Sequence, residues 1–172
     1  MFRIASAMAV LCGVQATEWT TTNVNRVGTS AATRFMRAKV VGQRVGSETM
    51  IWAAVKGLFD AEPDLTFSVR EVTGLDPMFC TWTEVSTIGS ISGTAYGVGG
   101  ATAEGLVSLD LDSVNLEETS TSTMVLDITD ADGTTLGCGV LTGSTQSNVV
   151  RAWKRVFGKT GLTPTDELSA LL

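Results

Sequence analysis

The carboxylates that lie close together in the sequence are the clearest candidates for chemistry, because their oxygens bind hard cations such as calcium. They form two pairs, Asp110 with Asp112 and Asp130 with Asp132. The second pair begins an Asp-x-Asp-Gly motif that resembles the start of a calcium loop. The motif lacks a third acidic position, and Leu141 stands where the bidentate glutamate would be. A hairpin turn explains the same residues, so we predict no metal ligand.

Two other motifs fit enzymatic chemistry poorly. The glycine-rich segment at residues 97–105 has Thr102 where the third glycine of a dinucleotide-binding motif should stand, and a predicted strand follows it. We expect a mobile loop there and no cofactor. The adjacent Glu117 and Glu118 could serve a glycosidase, but aromatic residues to stack on a sugar make up only 6% of the chain.

Histidine is absent from the chain. This excludes Ser-His-Asp and Cys-His catalysis, histidine-ligated zinc, and imidazole as an acid or base near neutral pH. Enzymes built on carboxylates, lysine or the single tyrosine, Tyr96, remain open. We therefore predict no catalytic residues and a protein that is not an enzyme.

The three cysteines, Cys12, Cys80 and Cys138, are odd in number and far apart in sequence. Neither a disulfide framework nor a Cys-x-x-Cys metal or redox site is indicated. We interpret them as small buried hydrophobic residues.

Positive and negative charges are segregated along the chain. Residues 71–150 contain no lysine or arginine, whereas residues 1–70 hold eight bases against five acids and residues 151–172 hold four against two. An acidic centre with basic ends is complementary to a second copy of itself, so we expect head-to-tail assembly. The same distribution argues against nucleic acid as a partner. The acidic residues of the centre are Glu71, Asp76, Glu84, Glu104, Asp110, Asp112, Glu117, Glu118, Asp127, Asp130 and Asp132.

The composition predicts one folded, strand-rich domain. The chain has 172 residues, of which 44% are hydrophobic and 17% charged, and its 18 glycines accompany abundant threonine and valine. No stretch reaches the roughly 20 apolar residues of a membrane helix, so no membrane span is predicted.

Residues 1–16 allow two interpretations. They contain one base, Arg3, an apolar run over residues 4–14, and the small-x-small pattern Val14-Gln15-Ala16 that a signal peptidase accepts. On the first interpretation they are a signal peptide, and the protein is secreted or periplasmic. On the second they form an apolar strand or helix docked on the body, because the basic region is thin and a glycine interrupts the apolar run.

The segment that follows is predicted to be part of an N-terminal arm. Residues 17–30 are polar and fit a linker or an edge strand, and residues 31–45 are ambiguous between a short helix and a strand. The bases here, which include Arg34, Arg37, Lys39 and Arg44, form either a solvated face or a docking face for a neighbour's acidic centre.

From Ser47 the sequence predicts an amphipathic helix. Ile51, Val55 and Leu58 recur at helical spacing, Ser47 can cap the first turn, and Pro63 closes the segment.

After Pro63 apolar and polar residues alternate, which predicts strands. Leu65, Phe67 and Val69 follow this period, as do the apolar positions of residues 107–111. Several short strands at this spacing predict a sandwich or small barrel.

The Asp-Ala-Asp-Gly sequence at residues 130–133 is predicted to turn a β-hairpin. A two-residue loop would place Ile128 opposite a glycine, whereas a three-residue loop pairs it with Leu136. This register requires a left-handed conformation at Gly133 and turns Asp127 outward.

Two helices are predicted at the C-terminal end, one starting at Ser147 or Asn148 and one at Thr163-Pro164. Their apolar side chains pack either on the chain's own core or on a neighbouring subunit. On the second alternative they join the bases of both ends in a subunit interface. The predicted interface residues are Trp153, Val156, Phe157, Leu168, Leu171, Leu172, Arg34, Arg37, Arg151 and Lys154.

Residues 107–143 read VSLDLDSVNLEETSTSTMVLDITDADGTTLGCGVLTG. This segment resembles the last strands of immunoglobulin-like domains in tailed-bacteriophage baseplate and tail proteins, in which a strand, a TDADG hairpin and a short closing strand recur. The resemblance implies a structural role in a virion.

These observations together predict a mainly β chain: a β-sandwich, immunoglobulin-like or a related barrel, with one helix before it and two short helices at the C-terminus. We divide it into an arm (1–46), a β-rich core domain with a leading helix (47–146) and a helical extension (147–172). The predicted function is a non-catalytic structural component of a bacteriophage virion, in a tail, neck or capsid-associated assembly, with itself and other virion proteins as partners. The alternative is an exported bacterial β-sandwich domain for adhesion or ligand binding.

Overall fold

The computed structural model describes residues 19–27, 35–58, 64–95, 99–115 and 122–145, together with residues 147, 148, 151 and 154. The described chain is mainly β, which confirms the predicted class. A short 3₁₀ helix, Leu111–Asn115, interrupts the strands. The strands are β1 (Trp19–Arg26), β2 (Arg37–Val45), β3 (Glu48–Lys56), β4 (Thr66–Asp76), β5 (Thr81–Ser92), β6 (Thr94–Ala95), β7 (Gly100–Val107), β8 (Thr123–Thr129), β9 (Thr135–Val140) and β10 (Thr142–Ser144).

The strands form one antiparallel sheet in the order β5-β4-β8-β9-β1-β2-β3-β7-β6. β1 pairs with β2 along one edge and with β9 and β10 along the other. The sheet curls into a half-barrel, and its two ends approach each other. A Cβ atom added to Gly89 on β5 would lie 3.0 Å from a side-chain carbon of Val107 on β7.

The main core lies inside the curl. The predicted alternation over Leu65, Phe67 and Val69 is confirmed, because all three side chains are buried there. Each such side chain stabilises the fold by about 1.5–3 kcal/mol relative to an exposed one. Other large residues of this core, each fully buried, include Val40, Ile51, Val55, Leu109, Leu111, Leu126, Ile128 and Leu141.

β3 is a strand, so the helix predicted from Ser47 is wrong. Val45 pairs with Glu48, which leaves Gly46 and Ser47 as a two-residue hairpin turn, and Gly46 has a φ of 65°. Residues 51–55 are all buried, because β3 lies between β2 and β7 and is covered on both faces. An unbroken apolar run fits a buried helix and a doubly covered strand equally well, and here the strand forms.

The glycine-rich segment contributes to β7 from Gly100 onward, so the prediction of a mobile loop is wrong for these residues. Gly99, with a φ of 71°, packs against the backbone of Leu58. The Leu58 N–H donates to the Gly99 carbonyl oxygen at 3.0 Å, and a Cβ atom at Gly99 would lie 1.9 Å from the Leu58 oxygen. Leu109 and Leu111 are buried, but they follow the end of β7.

The turn between β8 and β9 has the predicted three-residue loop. The Gly133 N–H donates to the Asp130 carbonyl oxygen at 3.0 Å, and the Asp130 N–H donates to the Thr134 carbonyl oxygen at 3.1 Å. Gly133 has a φ of 79°, which confirms its left-handed conformation.

The register beyond this turn differs from the prediction. A bulge at Leu136 shifts the pairing, so Ile128 faces Gly137 rather than Leu136. The glycine leaves no gap, because neighbouring groups fill the space. A Cβ atom at Gly137 would lie 2.5 Å from the Met36 Cε and 2.7 Å from the Asn25 carbonyl oxygen.

Gly133→Val should lower the free energy of unfolding by about 1–3 kcal/mol, because a β-branched residue is strained at positive φ. A Cβ atom at this position would meet nothing within 4 Å, so the cost arises from the backbone alone. Urea denaturation measures it. Gly133→Asn is the matched control and should lose much less, because asparagine tolerates this conformation. Equal losses would contradict the assignment.

The two ends of the described chain differ in structure. β1 and β2 are integral strands of the sheet, although the sequence assigned them to an N-terminal arm. Near the other end the Asn148 N–H donates to the Thr145 carbonyl oxygen at 3.0 Å. Residues 163–172, with the second predicted helix, lie outside the described residues. Helical backbone is described at Ser147, Asn148, Arg151 and Lys154.

Candidate functional site

A disulfide joins Cys80 to Cys138, with an S–S distance of 2.02 Å and a Cα–Cα distance of 5.7 Å. Cys80 closes the turn between β4 and β5, and Cys138 lies within β9. The bond fastens the β4–β5 hairpin to the face of the sheet that points away from the main core. The interpretation of these two residues as unconnected hydrophobic residues is therefore wrong. Cys12 lies outside the described residues.

A second apolar cluster surrounds the disulfide. It contains Val72 and Val125 with the two cysteines, and Val27, Leu75 and Trp82 pack against it. Because β8 contributes Val125 to this cluster and Leu126 to the main core, it is buried on both faces. The hairpin is thus held by apolar packing as well as by a covalent bond.

An arginine beside this cluster ties three strands together. The Arg70 Nε donates to the Asp127 Oδ2 at 3.0 Å, and its Nη1 donates to the Glu84 Oε2 at 2.6 Å and to the Thr87 hydroxyl at 3.1 Å. Arg70 lies on β4, Glu84 and Thr87 on β5, and Asp127 on β8. The guanidinium group of Arg70 therefore forms ion pairs with two carboxylates.

The two carboxylates of Arg70 differ in environment. Asp127 lies on the face of β8 opposite to Leu126 and Ile128, as predicted, but its side chain is only 3% exposed and does not face solvent. Burial raises the pKa of Asp127, although the Thr135 hydroxyl and Arg70 oppose this effect. Its Oδ1 makes no hydrogen bond of ordinary distance and angle. The pKa of the exposed Glu84 is lowered, chiefly by the Thr87 hydroxyl; burial opposes this effect, and Arg70 adds a smaller lowering.

Sequence reasoning missed this network and the disulfide because their partners are remote in the chain. Arg70 and Asp127 are 57 residues apart, and the cysteines are 58 apart. One signal was present: Arg70 is the last base before the acidic centre of the chain. It neutralises part of that centre through Glu84 and Asp127.

The predicted pairs of carboxylates serve local structure. The Asp130 Oδ1 accepts from the N–H groups of Asp132 at 3.1 Å and Thr134 at 2.8 Å, which stabilises the hairpin turn. The Asp110 Oδ1 likewise accepts from the Asp112 N–H at 3.0 Å at the start of the 3₁₀ helix. Across the ranges that the structure describes, no group of three histidine, cysteine or acidic side chains could hold a metal ion. Glu117 and Glu118 lie outside those ranges.

Two of the bases predicted for a docking face make contacts within the chain instead. Arg44 pairs within the chain, with its Nη2 at 2.8 Å from the Asp112 Oδ1. The Lys39 Nζ donates to the Asn23 Oδ1 at 2.7 Å. Among the predicted interface residues, Arg37, Arg151 and Lys154 are described and exposed. The others, Trp153, Val156, Phe157, Leu168, Leu171, Leu172 and Arg34, lie outside the described residues.

Exposed apolar groups mark the tip of the disulfide-bonded hairpin. The Met78 side chain is 73% exposed and that of Phe79 is 57% exposed. Both backbone N–H groups are held by the Asp76 Oδ1, at 2.9 and 3.4 Å. The tip therefore presents two large apolar side chains on an ordered turn.

Beneath this hairpin lies an open cleft of about 350 Å³. Leu75 and Pro77 line it from the hairpin, and Asn23 and Asn25 line it from β1. A second cleft, of about 500 Å³, lies where β1 and β3 end and β2 begins.

No family model matches this chain, and the comparison with curated proteins gives no match. Among the residues described, no helix is long and apolar enough to cross a membrane.

Proposed function

We propose that this chain is an exported, non-catalytic β-domain that acts by binding, in adhesion or ligand recognition. The observation that carries the proposal is the Cys80–Cys138 disulfide. Disulfides persist in secreted, periplasmic and cell-surface proteins, whereas cytosolic thiols are kept reduced.

The cysteine count supports export once the pairing is known. Cleavage after Ala16 would remove Cys12 and leave only the two bonded cysteines. The odd cysteine then belongs to a segment that has the features of a signal peptide.

The proposed binding surface is the β4–β5 hairpin with the cleft beneath it. Exposed apolar side chains such as Met78 and Phe79 bind a partner well when their backbone is already ordered, because little conformational entropy is then lost. The disulfide provides that order. The asparagines that line the cleft add polar groups that a polar ligand could contact.

The second candidate is a structural component of a bacteriophage virion, with an immunoglobulin-like sandwich and a homo-oligomeric assembly. The specific observation in its favour is the set of exposed bases, Arg37, Arg151 and Lys154, which an acidic neighbour would complement. The resemblance of residues 107–143 to phage tail domains points the same way. Disulfides also occur on virion surfaces.

Expression of the full chain in a bacterium, followed by cell fractionation and intact-mass measurement, tests the first proposal. We expect protein in the periplasm or medium that lacks residues 1–16 and contains no free thiol. Ala16→Phe is the matched control, because a large residue at this position should block cleavage.

The opposite outcome would be protein in the cytoplasm that keeps its N-terminus and has reduced cysteines. It would contradict export. If sedimentation of that protein showed oligomers that dissociate as salt rises, the virion candidate would be favoured, because exposed charges are screened over about 8 Å at physiological ionic strength.

A further inference from the structure

The 500 Å³ cleft is strongly basic. Its lining includes three cations, Arg26 at the end of β1, Arg37 at the start of β2 and Lys56 at the end of β3. Its volume lies within the range of ordinary ligand sites, about 300–1,000 Å³. No acidic residue is among the described residues that line it.

These cations differ from the other arginines of the sheet. Arg44 and Arg70 each contact two carboxylates. In the part of the chain that the structure describes, Arg26, Arg37 and Lys56 have neither an ion pair nor a side-chain hydrogen bond.

Two of the cations repel each other directly. Arg37 and Lys56 are opposite partners on β2 and β3. Like charges in this arrangement destabilise a sheet. A bound anion would remove that repulsion, and nothing in the described lining does so.

At this cleft the backbones of Gly57 and Phe35 lie close together. Gly57 has a φ of 80°, and a Cβ atom there would lie 2.1 Å from the Phe35 carbonyl oxygen. Because Gly57 has no side chain, the backbone of Phe35 can lie close to the end of β3. Met36 is buried, whereas the Phe35 side chain is 60% exposed at the cleft and supplies an apolar wall beside the cations.

We infer that this cleft binds a phosphate monoester whose organic part lies on Phe35. Two planar guanidinium groups match the oxygens of a phosphate, and a dianion balances more of the three positive charges than a carboxylate does. The apolar ring favours an ester with an apolar or aromatic group over the free ion. The inference is independent of the proposed function, because it holds for an exported domain and for a virion component alike.

Titration calorimetry of the full chain at low salt, with phenyl phosphate as the probe, tests the inference. Phenyl phosphate should bind more tightly than inorganic phosphate, and Arg37→Gln should weaken it by about tenfold or more, because hydrogen bonds to charged groups are strong. Phe35→Ala should weaken the binding of phenyl phosphate and leave the binding of inorganic phosphate unchanged. Arg151→Gln removes an exposed arginine outside the cleft and is the matched control, which should bind as the wild type does.

A thermal readout separates binding from folding. Lys56→Gln removes the like-charge pair and should raise the melting temperature of the ligand-free protein by about 1–3 °C. It should also reduce the further rise that phenyl phosphate produces in the wild type.

Three outcomes would overturn the inference. One is the absence of phenyl phosphate binding at millimolar concentration. Another is equal weakening by Arg37→Gln and Arg151→Gln, which would show unspecific attraction to a basic surface. The third is equal or tighter binding of the monoanion phenyl sulfate, which would contradict the assignment to a dianion.

Discussion

Removing the Cys80–Cys138 bond should lower the free energy of unfolding by about 2–5 kcal/mol. The bond closes a loop with a sequence separation of 58 residues, so it restricts the unfolded chain strongly. It also fixes the hairpin that covers Val72 and Val125, and loss of that cover would expose the second apolar cluster. Guanidinium denaturation of wild type and of a Cys80→Ala/Cys138→Ala variant measures the difference.

Two controls isolate the covalent bond in this measurement. Wild type treated with a reductant should lose about as much stability as the double variant, because its side chains are otherwise unchanged. Cys12→Ser leaves both bonded residues in place and should match the untreated wild type. If Cys80 and Cys138 react with an alkylating agent in the native protein, the predicted loss will not be seen.

Arg70→Met should lower the free energy of unfolding at pH 7 by about 3 kcal/mol, because it leaves the buried Asp127 carboxylate without its cation. Arg44→Met is the matched control. Its partners, Asp110 and Asp112, are 66% and 50% exposed, and such pairs contribute about 0–1 kcal/mol. Urea denaturation of both variants at several pH values gives the comparison.

The loss caused by Arg70→Met should shrink as the pH falls. Burial keeps the folded pKa of Asp127 above its ordinary value of 3.8, so native protein binds more protons than unfolded protein between those two values. In that window the contribution of Asp127 to stability decreases as pH rises. Without Arg70 the folded pKa rises further, and the full cost is present only above it. A loss that is the same at pH 7 and near pH 4 would show that packing, rather than charge, explains the effect.

Local features of the fold could be predicted from the sequence. The alternation of Leu65, Phe67 and Val69 and the left-handed Gly133 both depend on neighbours in the chain, and both are confirmed. β3 could not be assigned in this way, because its apolar run depends on strands on either side of it. The apolar pattern indicates that these residues are buried, but it does not indicate whether they form a helix or a strand.

The glycines of β9 show a second limit. The sequence suggested that a glycine opposite Ile128 would leave the apolar faces unmatched. In the structure β1 occupies this space, and a Cβ atom at Gly139 would lie 2.5 Å from the Thr22 Oγ1. A missing side chain can therefore indicate the close approach of another strand, which a two-strand argument does not consider.

The candidate site was the least predictable part. The Cys80–Cys138 and Arg70–Asp127 contacts join residues that no spacing rule connects. The pairing of β4 with β8 places Arg70 beside Asp127, and the turn of the β4–β5 hairpin places Cys80 against Cys138 on β9. The basic cleft was visible only as Arg37 within a wider set of bases. Sequence alone did not separate it from Arg44, which pairs within the chain.

The pairing of β1 determines how late in synthesis the sheet can close. One edge of β1 can pair with β2 soon after synthesis, but its other edge pairs with β9 and β10. The Thr20 hydroxyl donates to the Thr142 carbonyl oxygen, and these residues are 122 positions apart. The sheet therefore stays open until almost the whole described chain has left the ribosome, which makes closure slow. If the protein is exported, as we propose, this delay keeps the nascent chain unfolded enough to pass through a translocation channel.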